Sequence, residues 1–195
     1  DYGFRLATLK KLKELIIKNE SRLYDALKKD LGKPAFEAYA SEIGEILQEI
    51  NLMIRNLRRW MNPVRVYTPL VHFIARSYYV YEPYGVVLII SPWNYPFQLL
   101  FNPLIGAISA GNCVLAKPSQ HAAHTSEVMM DLINNNFSSD HIHLIRGGKD
   151  INQIILTEKY DYIFFTGSTE TGKQVMKAAA DTLTPISLEL GGKCP

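Results

Sequence analysis

A doubly wound α/β domain with a mostly parallel sheet, preceded by helices, is the fold class this sequence predicts. Three observations predict it. Short β-branched runs alternate with helical segments from Tyr84 onward, those runs are apolar on both faces, and residues 1–62 carry helical rather than strand periodicity.

Leu6, Leu9, Leu12, Leu15 and Ile16 recur three or four apart, and Leu23, Leu27 and Leu31 continue the stripe to a stop at Gly32-Lys33-Pro34. Such spacing lines one helical face, with a break expected near Asn19. A second long helix carries Ile43, Ile46, Leu47, Ile50, Ile54, Leu57 and Trp60 and ends before Asn62-Pro63. Charges such as Lys10, Lys13 and Glu14 read as solvated surface. Residues 63–84 differ, because Pro63, Pro69 and Pro83 interrupt a stretch that includes Ser77-Tyr78-Tyr79-Val80-Tyr81, a pattern suited to exposed or edge strands. Beyond them the strand candidates are Gly85 to Ile90, Cys113 to Lys117, His141 to Ile145, Tyr160 to Phe165 and Ile186 to Leu190. Helical segments fall near 97–110, 122–136, 149–157 and 169–181. The expected organisation is a helical segment at 1–62 packing on the sheet domain, edge or oligomerisation strands at 63–84, and an α/β domain over 85–195.

Composition narrows the function. The 195 residues are 47% apolar and 21% charged, enough for one large core or two small ones. With 21 basic and 19 acidic residues spread along the chain, the net charge of +2 leaves no footprint for nucleic acid. The longest apolar run, Val86 to Ile90, is far shorter than the roughly 20 residues of a membrane helix. The first residues lack the apolar core of a secretory signal, so a cytoplasmic location is expected. Cys113 and Cys194 stand in no Cys-x-x-Cys or Cys/His cluster, so neither a disulfide framework nor a metal site is expected. The chain begins without Met and stops inside Leu188-Glu189-Leu190-Gly191-Gly192-Lys193-Cys194-Pro195, which reads as part of a longer polypeptide.

In doubly wound sheets ligands collect at the carboxyl ends of the strands. After the first strand stands Ser91-Pro92-Trp93-Asn94-Tyr95-Pro96-Phe97, where two prolines bracket an Asn. A rigidly held amide suits an oxyanion hole, and an Asn before a helix is equally a turn residue. After the second strand, Lys117-Pro118-Ser119-Gln120 places an ammonium and a hydroxyl where ribose hydroxyls or a phosphate could be met, although a Lys there is commonly surface. Gly147 follows the third. After the fourth, Phe165-Thr166-Gly167-Ser168-Thr169 with Gly172 opens a helix whose free N–H groups suit a pyrophosphate, without the standard GxGxxG pattern. After the fifth, Glu189 precedes Leu190-Gly191-Gly192, and a carboxylate beside glycines suits a general base acting through water as well as a structural role.

In this order the motifs resemble the aldehyde dehydrogenase superfamily along essentially the whole chain. The resemblance rests on Pro92 to Phe97, Lys117-Pro118-Ser119, Phe165 to Thr169 with Gly172, and Leu188 to Lys193. The helices and the Tyr81-Glu82-Pro83-Tyr84-Gly85-Val86-Val87 entry look like the class 3 or fatty-aldehyde branch. The resemblance implies a Rossmann-like domain within a larger two-domain enzyme, residues 85–195 binding a dinucleotide. It also implies oxidation of an aldehyde to a carboxylic acid with NAD or NADP through a cysteine thioester. Asn94 would donate to the oxyanion and Glu189 would activate the hydrolytic water. Ser91, Trp93, Lys117, Ser119, Gln120, Gly147, Gly167, Ser168, Gly172, Leu190 and Gly191 would bind the cofactor. The family's nucleophile comes well downstream of Glu189, so neither Cys194 nor Cys113 is assigned that role. Gln120 stands where many NAD-preferring relatives have Glu, which weakens the objection to NADP. Alternatives are an acylating relative that passes the acyl group to coenzyme A or phosphate, and a non-catalytic dinucleotide-binding piece. A homo-oligomer, with a dimer favoured, is implied by the class 3 resemblance.

Overall fold

The computed structural model describes residues 1–193, the Lys149 side chain excepted. Asp1 opens helix α1 (Tyr2–Lys18) by accepting the Phe4 N–H at 2.7 Å. The helix breaks at Asn19, as its periodicity predicts: the side-chain amide of Asn19 donates to the Leu15 carbonyl, and α2 (Glu20–Leu31) starts at the next residue. The second helical stretch is longer and less regular than expected. A short α3 (Ala35–Ala38) runs into a π-helical turn, Tyr39–Ile43, and then into α4 (Gly44–Trp60). Two short strands, β1 (Val64–Val66) and β2 (Ser77–Tyr79), pair antiparallel in a separate exposed ribbon.

The main sheet has five strands, all parallel, in the order β5-β4-β3-β6-β7. They are β3 (Val86–Ile90), β4 (Cys113–Lys117), β5 (Ile142–Leu144), β6 (Tyr162–Gly167) and β7 (Ile186–Leu190). Helices α5 (Gln98–Ala110), α6 (Ala123–Asn134), α7 (Lys149–Thr157) and α8 (Thr169–Thr182) connect them, which is the doubly wound architecture predicted. Strand limits shift by the pairing available. β5 is shorter than His141 to Ile145 because only Ile142 to Leu144 find partners in β4. β6 begins at Tyr162 rather than Tyr160 and extends to Gly167, because Thr166 and Gly167 pair with Glu189 and Leu190.

Strand alternation sorts the core into two layers. Val87, Ile89, Val114, Ala116, Ile142 and Leu144 point to one side, where they join Leu100, Phe101, Leu104 and Ile105 of α5, Met129 of α6, and the buried stripes of α1, α2 and α4. Leu88, Ile90, Ile163 and Phe165 point to the other, against Ile155 of α7 and Val175 and Ala179 of α8. Each fully buried Leu, Ile or Phe contributes about 1.5–3 kcal/mol, so the two layers rather than local propensity hold the helices in place. Among the described residues no helix is long and apolar enough to cross a membrane, and no group of three His, Cys, Asp or Glu side chains is placed to hold a metal ion.

From β3 the chain moves outward to β4 and β5, then returns to build β6 and β7 on the other side. The connections after β3 and β6 therefore diverge at adjacent strand ends, and a crevice opens between them.

Candidate functional site

A cleft of about 700 Å³ lies at that switch point. Its walls include Pro92, Trp93 and Asn94 from the turn after β3, Gly167 and Ser168 at the end of β6, and Glu189, Leu190 and Gly191 at the end of β7. Thr166 pairs with Glu189 in the sheet, and Leu188 packs toward the α7/α8 layer, so the Glu189 carboxylate projects to the α5 side. There it shares the cleft with Asn94, whose side chain is exposed to it. The two residues predicted to carry the chemistry, 95 positions apart in the chain, thus border one space.

The cleft also includes residues the sequence reading missed. Leu99, Asn102 and Pro103 lie three and four apart on one face of α5, and Phe164 shares the sheet face of Thr166 and Glu189. The missing signal was the helical row: these three positions stand off the buried stripe of α5 and directly follow the Asn94 turn.

A second set of predicted residues gathers at the ends of β4 and β5. Lys117 is 4% exposed, yet its ammonium touches only the Pro118 carbonyl at 3.4 Å and forms no ion pair among the described residues. Burial pushes its pKa below the usual lysine value. Ser91 lies beside it, its N–H donating to the Lys117 carbonyl at 3.2 Å, and its buried hydroxyl has no partner among the described residues. Ser119 accepts the His121 N–H at 3.3 Å. Gln120 leans across to the backbone of Gly148, next to Gly147, bringing the two strand-end turns together. A buried ammonium with one long hydrogen bond and a buried hydroxyl without a partner among the described residues, at adjacent strand ends, fit a polyhydroxylated or phosphorylated ligand, because such groups are otherwise fully paired.

Between the two sets, Ser168 caps α8 by accepting the Thr171 N–H at 3.3 Å. Gly172 is buried, and a Cβ there would stand 2.6 Å from Leu190 Cδ2, so its place is explained by close packing of α8 on the end of β7. Cys113 begins β4, at the opposite end of the parallel sheet from the cleft, and is half-buried rather than enclosed as a small hydrophobe would be. Cys194 lies outside the described residues.

The Asn94 turn is held from behind. Glu42, in the π-helical turn, is fully buried; one carboxylate oxygen stands 2.5 Å from Lys33 Nζ, and the other accepts the Phe97 N–H at 2.9 Å and the Gln98 N–H at 3.3 Å. The same Lys33 ammonium donates to the Asn94 carbonyl at 3.1 Å and lies 3.9 Å from the centroid of the Tyr95 ring.

The aldehyde dehydrogenase family model matches residues 3–195. The chain belongs to the aldehyde dehydrogenase family. It is 47% identical, over its whole length, to the 4,4'-diaponeurosporen-aldehyde dehydrogenase of Staphylococcus aureus, of which it spans 42%. Over 98% of its length it is 45% identical to aldehyde dehydrogenase family 3 member B2 of Mus musculus, spanning 40% of that protein. The fold superposes on the substrate-bound state of Staphylococcus aureus AldH with a TM-score of 0.98 and 47% identity, covering 100% of this chain and 43% of that one. The family 3 relatives agree with the class 3 resemblance read from the motifs. The chain therefore spans about two fifths of the length of these relatives, and the family as a whole is NAD(P)-dependent.

Proposed function

We propose that this chain is the cofactor-binding portion of an enzyme that oxidises an aldehyde to a carboxylic acid with NAD or NADP. The observation that carries the reading is that Asn94 and Glu189 border one cleft at the switch point of the sheet. Asn94 offers a fixed amide donor to an oxygen that gains negative charge, and such a donor needs no reorganisation as the charge develops. Glu189, exposed in the same cleft, takes a proton from the water that hydrolyses the acyl intermediate. In this reading the thiol nucleophile comes from polypeptide beyond these 195 residues.

Lys117, with the Ser91 hydroxyl beside it, would hold ribose hydroxyls, and the backbone at Gly167 and Ser168, at the start of α8, would face the pyrophosphate. A bound nicotinamide would supply a hydride acceptor. Gln120 carries no charge to repel a 2′-phosphate, so both cofactors are expected to serve. A homo-oligomer, dimeric by the class 3 likeness, and a cytoplasmic location complete the proposal.

The test is aldehyde-dependent formation of NADH and NADPH by the complete polypeptide, with Glu189→Gln measured beside it. A variant that keeps its first-turnover burst but loses steady-state turnover supports Glu189 in hydrolysis. Turnover that appears only with coenzyme A or phosphate places the protein among acylating relatives and removes that role.

A further inference from the structure

We propose that the buried Lys33–Glu42 pair is a positioning device for Asn94, fixing the turn from which its amide reaches the cleft. The inference rests on the reading of Asn94 as the oxyanion donor. Lys33 and Glu42 precede that turn by 61 and 52 residues and come from the N-terminal helical segment, yet between them they grip both of its ends. Lys33 holds the Asn94 carbonyl at 3.1 Å; Glu42 holds the Phe97 and Gln98 N–H groups at 2.9 and 3.3 Å; and the two are joined at 2.5 Å. The backbone of Asn94 is thereby tied down while its side chain stays free to face the cleft.

Three features make a role beyond holding the fold the better account. A buried ion pair is poor at adding stability, since desolvation of both charges offsets their attraction, and apolar replacements are often as stable. The carboxylate is delivered by a π-helical turn, a costly irregularity that recurs at functional positions. Finally, nearly every bond the pair makes ends on the Asn94–Gln98 segment, and the ammonium's remaining face rests on the Tyr95 ring of the same segment. A donor to a developing oxyanion must be placed within a few tenths of an ångström before the charge forms, which is what such a grip provides.

The experiment measures the first-turnover burst of reduced cofactor in the complete enzyme for Asn94→Ala, Glu42→Gln, Tyr95→Leu and the doubles of the latter two with Asn94→Ala. Thermal midpoints and aldehyde KM are recorded for each. Asn94→Ala should slow the burst about 100-fold or more, as loss of an oxyanion donor does. Glu42→Gln should slow it roughly 10-fold with little change in KM, and Tyr95→Leu, at a partly exposed ring that folding tolerates, by a few-fold. In the Asn94→Ala background both should have almost no further effect, because a residue acting through Asn94 has nothing left to position. Equal fold-losses in both backgrounds, or parental bursts in correctly folded Glu42→Gln and Tyr95→Leu, overturn the positioning role. A parental burst in Asn94→Ala itself instead overturns the assignment of Asn94, and the inference falls with it. Should Glu42→Gln not fold, Tyr95→Leu and its double decide.

Discussion

Lys117→Met removes an ammonium while keeping the stem that packs at the end of β4. The parent side chain is 4% exposed and, among the described residues, has only a 3.4 Å contact to the Pro118 carbonyl, so folding strips most of its water and replaces it with one long hydrogen bond. Removing a buried polar group in that condition should raise the stability of the cofactor-free protein by about 1–3 kcal/mol. For a chain of this size that is a rise of about 2–12 °C in thermal midpoint. Because burial lowers the folded-state pKa of Lys117 below the unfolded value of 10.5, the unfolded chain binds more protons between those two values. Stability of the parent should therefore rise with pH through that interval, and the Met variant should lose this contribution. Cofactor binding should move the opposite way. A charged hydrogen bond to ribose is worth about 1.5–3 kcal/mol, so affinity should fall about 10–150-fold. Calorimetry without cofactor and fluorescence titration with NAD and NADP measure the two effects. A variant that is less stable and binds as tightly as the parent would refute the reasoning, since the ammonium would then be satisfied within the protein.

Two further sites test the scaffold. Gly85 has φ +131°, and a Cβ there would overlap the Asp161 carboxylate that accepts the Val86 N–H at 2.8 Å, so Gly85→Ala should cost about 2–5 kcal/mol by chemical denaturation. Gly85→Ala combined with Asp161→Ala should cost less than the sum of the two, and strict additivity would show that the clash is absent. Leu183 ends α8 in the left-handed region at φ 54° and is 89% exposed, so Leu183→Gly should stabilise by about 0.5–1 kcal/mol; a loss would mean that its side chain packs on something.

The sheet was legible because each strand is a short apolar run bounded by turn residues, and parallel strands buried on both faces need just that. Its ends were less so. Thr166 and Gly167 look like loop in one dimension, and only their pairing with Glu189 and Leu190 makes them strand. The helix before α4 was missed for a related reason. Phe36 in α3 is 84% exposed, so that segment carries no apolar stripe to find, and its helix is stabilised by what it packs beside.

Asn94, Glu189 and Lys117 could be picked out because strand ends in this architecture are where chemistry collects, and their neighbours are unusual. Lys33 and Glu42 could not be found that way. Lys33 sits in a helix stop and Glu42 in a helix, two settings where a charge is ordinarily solvated, and nothing local couples either to residues 94–98. A trace did exist: Ala38, Glu42, Ile46 and Ile50 form one row four apart, and the other three are buried core. A carboxylate on such a row must either find partners inside the protein or prevent the helix from packing. It finds Lys33 and the N–H groups that open α5, so a misfit in the apolar stripe is the one-dimensional shadow of a contact between the N-terminal helices and the Asn94 turn. Those helices therefore do more than cover the sheet, because the orientation of the turn at the cleft depends on a charge they carry.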